Sequence, residues 1–166
     1  MRSDDRWWLG PLVAALVAVV LWAPATSALV LSAASDDEHD AGQTLTVENE
    51  VVTLTLVSAD AGFDNLVTLV DESPDTGIAC RTTPPGFTAL LGRFMEPTEI
   101  ALSLTTPENR VWTTGPGTDN SDHLAHARMS ATAPDTVLVE WEDNAGGGDL
   151  DFNDCVLRLT ITPLTP

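Results

Sequence analysis

The sequence predicts an all-β protein, a single-domain β-sandwich of jelly-roll-like form behind an N-terminal signal peptide. Three observations carry this expectation. A chain of 166 residues has room for one ordinary hydrophobic core. From Thr44 onward apolar and polar residues alternate with a period of two, and Gly, Pro, Asp or Asn interrupts the alternation about every ten positions. Beyond the N-terminal run, no segment keeps a helical period over three turns.

At the N-terminus, Arg2 and Arg6 precede "WWLGPLVAALVAVVLWAPATSA", an uncharged apolar run that ends in small residues. Charged n-region, apolar h-region and small-residue cleavage site follow in the order of a secretory signal peptide, residues 1–28, with Ala25 as an earlier cleavage point. An uncleaved anchor is the alternative, because an apolar run of about 17 residues nearly reaches a membrane span. Residues 29–43, which include "SAASDDEHDAGQ", are small, polar and acidic and read as a flexible linker. The sandwich then occupies residues 44–166.

Its expected strands run in order. Val52, Leu54 and Leu56 alternate with Thr53, Thr55 and Val57. There follow "NLVTLV" (65–70), "FTALLGRF" (87–94), "EIALSLTT" (99–106), "RVWTT" (110–114), "LAHARMSA" (124–131), "TVLVEWE" (136–142) and "CVLRLTIT" (155–162), about eight strands in all. "PPG" (84–86) and "GPGT" (115–118) are turns. In the last strand Cys155, Leu157, Leu159 and Ile161 share the core face, while Val156, Arg158, Thr160 and Thr162 point outward.

The charge balance limits the partners. The chain carries 25 acidic residues against seven basic ones, all arginine, for a net charge of −18 and a pI of about 4.1. Loss of residues 1–28 removes two arginines and two aspartates and leaves the balance at −18. Such a surface repels nucleic acid and anionic lipid and attracts cations. Any membrane contact is expected only through an uncleaved signal sequence. The two cysteines, Cys80 and Cys155, are open to a disulfide or to two separate buried thiols, and an exported chain favours the bridge. No CxxC spacing suggests zinc or redox chemistry.

The chemistry concentrates in residues 142–154, "EDNAGGGDLDFND", with carboxylates at Glu142, Asp143, Asp149, Asp151 and Asp154 and an amide at Asn153. Asp149, Asp151 and Asn153 stand at i, i+2 and i+4 directly after three glycines, so a tight loop can aim several oxygens at one point. Calcium takes six to eight such hard oxygen ligands in irregular geometry, whereas magnesium keeps more of its waters. The run is not an EF-hand: Asp154 stands where the turn needs Gly, Thr160 stands where a bidentate Glu belongs, and the flanks are strands. A solvated turn with capping side chains is the alternative, but carboxylates packed together without a counter-ion repel one another.

"VEWEDNAGGGDLDFNDCVLRL" resembles the C-terminal signature of the bacterial extracellular family known as domain of unknown function 4114. "SADAGFDNLVTLVDESPDTG" (58–77) is similar to that family's opening, and "SDHLAHARM" (121–129) is similar to its D-H element. The resemblance covers about residues 50–162. It implies a secreted or surface β-sandwich module with a calcium site in the acidic loop. By position, Asp149, Asp151, Asn153 and Asp154 match the acidic motif, and Glu142 and Asp143 match its E-D. Cys155 departs from the family's usual apolar residue, and the domain is expected to stand without a partner domain or sorting signal.

Other groups are weighed against plain structural roles. Asp64, Asn65 and Asp71 flank an early strand and could extend the same site or act as turn residues. His123 and His126 at i, i+3 would face opposite sides of a strand, which is poor zinc geometry, and His123 is the one expected to pack near the loop. Trp112 and Trp141 suit the core better than a sugar-stacking platform. No nucleophile elbow, HExxH or useful Cys/His pair marks an enzyme, and a Glu142/Asp151 glycosidase pair lacks an evident cleft. The expected function is therefore a secreted, calcium-binding structural or adhesive module without catalysis. The alternative is a carbohydrate-binding module with a structural calcium. Its partner would be an extracellular polysaccharide or a surface protein.

Overall fold

The computed structural model describes residues 30–33, 42–70 and 77–165. The expected signal peptide and Asp71 lie outside these residues. The described chain is a β-sandwich of twelve strands in three sheets. β1 (Val30–Ala33), β2 (Gln43–Val47) and β7 (Thr98–Ile100) form one sheet in the order β1-β2-β7. β4 (Leu66–Leu69), β5 (Ile78–Ala79), β8 (Leu102–Thr105) and β9 (Val111–Thr113) form a second, ordered β5-β4-β8-β9. The third and largest is β10-β11-β12-β3-β6, made of β10 (Ala127–Ala133), β11 (Thr136–Trp141), β12 (Cys155–Pro163), β3 (Glu50–Ser58) and β6 (Thr88–Phe94). All pairings are antiparallel.

Alternation explains the layering. In β3 Val52, Leu54 and Leu56 turn inward, in β11 Val137, Val139 and Trp141, and in β12 Cys155, Leu157, Leu159 and Ile161. These meet Leu45, Ile100, Val67, Leu102, Leu104 and Ile78 from the two smaller sheets in one buried cluster. A period of two puts every second side chain on one face, so three strands in register line one continuous apolar wall. β7 and β8 are separated by Ala101 alone, which seats the two smaller sheets side by side across from the large one.

The expected strands stand with three adjustments. "EIALSLTT" divides at Ala101 between two sheets. "LAHARMSA" begins as strand only at Ala127, because residues 120–126 turn around Asn120, whose side chain bonds Thr113 and the Leu124 carbonyl. The flexible linker expected at 29–43 is strand at both ends: Val30–Ala33 pairs with Gln43–Thr46. Leu31, packed against the core, and the Gln43 amide, which accepts from the Met129 amide at 2.7 Å, dock these ends on the sandwich.

Cys80 and Cys155 form a disulfide across a separation of 75 residues. By loop entropy it stabilises the fold by about 4 kcal/mol. Among the described residues no helix is long and apolar enough to cross a membrane.

Candidate metal centre

The acidic loop is the connection between β11 and β12. Trp141 pairs with Cys155 in the ladder, so Glu142 and Asp143 leave one strand where Asp154 enters the next. The mouth is closed by the Asp154 amide donating to the Trp141 carbonyl at 3.2 Å and the Asp143 amide donating to Asp154 Oδ2 at 2.8 Å. Glu142 and Asp143 are 0% and 1% exposed. Asp154 is half-buried, while Asp149 and Asp151 stand at the surface.

The glycines make this arrangement possible. Gly146, Gly147 and Gly148 all have positive φ, and so do the bulkier Leu150 and Phe152, a conformation that side chains with a Cβ resist. At Gly148 a Cβ would lie 2.1 Å from Glu142 Oε1. The loop thus folds directly over the Glu142 carboxylate, whose oxygens accept from the Asn144 and Leu150 amides at 3.3 and 3.2 Å. Phe152 is buried beneath the Arg128 guanidinium, 3.6 Å from its ring centroid.

Two sets of carboxylates converge, Glu142 with Asp143 and Asp154, and Glu142 with Asp149 and Asp151; within each set the candidate ligand atoms lie within 4.8 Å of one another. Oxygens bound to one calcium ion are separated by at most about 5 Å, twice the metal–oxygen distance, so either set fits around a cation. Burial first, then the charges of Asp143 and Glu142, push the Asp154 carboxyl up to about 7, against the lowering effect of the Asp143 amide. Among the described residues the ion pairs are Arg110–Glu108 and His126–Asp122, so no basic side chain neutralises this cluster.

Asn65, fully buried ahead of β4, reaches the cluster from the other layer. Its Nδ2 donates to Asp143 Oδ2 at 2.6 Å, and its Oδ1 has no hydrogen-bond partner. A buried amide oxygen without a donor costs about 1–3 kcal/mol, and a cation is one species that would satisfy it. Trp141 Nε1 is also unpaired, but as a donor it has no use for a cation. Asn153 is tied to Asp151 by a 2.6 Å Nδ2–Oδ2 bond. Asp64 is drawn away: its carboxylate accepts from the Arg81 and Thr82 amides and the Thr82 hydroxyl, the work of a turn cap.

A buried layer behind the loop was not legible in the sequence. His126 is fully buried and stacks on Trp112 with ring centroids 3.8 Å apart and planes 6° from parallel. Its Nδ1 donates to the Glu142 carbonyl at 2.8 Å, and Trp112 Nε1 donates to the Asp143 carbonyl at 2.8 Å. His126 Nε2 meets Asp122 Oδ2 at 3.0 Å, a contact that needs a proton between them, and the same oxygen accepts from the Gly146 amide at 2.8 Å. Burial works against ionisation of Asp122, but the Gly146 amide, the His126 ring and the Leu124 amide outweigh it and hold the carboxyl below its usual range. His126, not His123, is therefore the histidine at the loop; His123 is exposed with a positive φ.

Both imidazole nitrogens of His126 are engaged and both cysteines are in the bridge, so the free donors of the centre are oxygens, which suit calcium or magnesium and not zinc. Trp112 and Trp141 are buried in the core, and neither ring offers a face to a sugar. No family model, no curated protein and no solved structure matches this chain.

Proposed function

We propose that the protein is an exported β-sandwich module that binds calcium in the β11–β12 loop and serves a structural or adhesive role outside the cell, without catalysis. The observation that carries this reading is the burial of two carboxylates, Glu142 and Asp143, beside Asp154 with no basic partner among the described residues. Buried charges persist where they are paired or coordinate a metal. Glu142, Asp143 and Asp154 would hold the ion, Asn65 Oδ1 would add a neutral oxygen, and Asp149, Asp151 and Asn153 would close the site from the solvent side. A bound cation supplies charge neutralisation and a link between two strand ends and the opposite layer.

The disulfide and the oxygen-only donor set support an extracellular setting, where disulfides persist and weak calcium sites fill. The resemblance to domain of unknown function 4114 points the same way. Thermal unfolding in calcium chloride and in EDTA tests the proposal; a midpoint that does not move between the two removes it.

A further inference from the structure

We infer that the Cys80–Cys155 disulfide tunes the cation affinity of the acidic loop by holding Asn65 against it, so that reduction of the bridge weakens binding. This rests on the calcium reading above and adds a control to the same site.

Two contacts place the bridge between the two halves of the centre. Cys155 directly follows Asp154. Cys80 donates its amide to the Asn65 carbonyl at 2.7 Å. One covalent bond therefore joins the neighbour of a loop carboxylate to the residue that anchors Asn65. The Asn65 side chain carries a sign of a ligand that is independent of the carboxylates, since it is 0% exposed, touches Asp143 through Nδ2, and leaves Oδ1 unpartnered.

The segment around Asn65 is knit to the segment around Cys80 by Arg81 Nη1 on the Gly62 carbonyl and by the Asp64 cap on Arg81 and Thr82. This unit meets the loop through the Asn65–Asp143 bond and through the Asp60 amide on the Asn153 carbonyl at 3.1 Å. The disulfide is the covalent member of that junction. Without it, the unit has more freedom to draw Asn65 away, and the cation must hold it in place at a cost in affinity. Reduction by a dithiol breaks the S–S bond, each cysteine sulfur takes up one electron and one proton, and the dithiol loses both pairs as it closes to its own disulfide. Linkage then requires the reverse effect: bound calcium favours the bridged form by the same factor.

The test titrates the full chain with calcium chloride by calorimetry, oxidised and after reduction with dithiothreitol, with circular dichroism checking the fold of each. The expected result is a Kd at least ~5-fold weaker in the reduced protein, with the difference shrinking to within about twofold in Asn65→Ala. Equal Kd values in two folded redox states overturn the inference and leave the calcium reading intact. Absence of calcium binding by the oxidised protein overturns the reading itself. If the reduced chain unfolds, the dithiothreitol–protein equilibrium is measured with and without calcium in both sequences. A calcium shift as large in Asn65→Ala as in the native sequence then sinks the inference, and a smaller one supports it.

Discussion

Asn65 and Asp143 stand 78 positions apart in the chain, yet the amide of one lies 2.6 Å from the carboxylate of the other, buried where the two layers of the sandwich meet. That bond brings residues from both layers into one cluster, and the behaviour of the cluster with and without a cation follows from it.

Calcium at about one hundred times Kd adds about 2.7 kcal/mol to the stability of a folded state that alone binds it. For a chain of this size the melting midpoint should rise by roughly 10 °C over that in EDTA, as differential scanning calorimetry would record.

Glu142→Gln keeps an oxygen for only one of the Asn144 and Leu150 amides, which bond different oxygens of Glu142, but removing one of the clustered charges relieves repulsion that offsets the lost bond. The variant should melt no lower than the native protein in EDTA, yet bind calcium about a hundredfold more weakly. A large loss of stability in EDTA would instead mean that the carboxylate serves the loop amides and not a cation.

The glycines should divide by position. Gly148→Ala drives a Cβ into Glu142 Oε1 at a φ of +51° and is expected to cost about 3 kcal/mol or more. Gly146→Ala, at a φ of +76° with nothing within 4 Å, should cost about 1–2 kcal/mol. Urea denaturation of the two variants in EDTA separates them.

Stability in EDTA should fall as pH rises from about 4 to about 7. The Asp154 carboxyl holds its proton in the folded chain up to about 7, whereas the unfolded chain releases it near 4, so over that window the folded state binds more protons and loses stability with each step upward. Calcium must displace that proton, so its affinity should climb by up to about tenfold per pH unit below 7 and level off above. Asp154→Asn should flatten both profiles.

Much of the fold could be read from alternation alone. The inward set of β12, from Cys155 to Ile161, follows directly from period two, because a one-residue slip would expose every apolar side chain of the strand. β5, with two residues, is too short to show any period, and β1 lies in a stretch whose acidic neighbours mask it. The site was legible as a loop but not in depth. Asp149 and Asp151 have the conspicuous spacing, yet they lie at the surface, while Glu142 and Asp143, which prolong the core strand β11, are the buried pair. That depth depends on Gly148 letting the loop close over Glu142, a three-dimensional fact with no period. His126 and Trp112 were hidden for a similar reason: their stacking joins β9 to the turn before β10, and local pattern carries no information about such a meeting.

The position of β12 has a consequence for biogenesis. It lies between β11 and β3, so the large sheet stays split until residues 155–163 are in place. A nascent chain therefore cannot join β11 to β3 until Pro163 has cleared the exit. Closure of the large sheet is thus tied to the arrival of the last of its five strands.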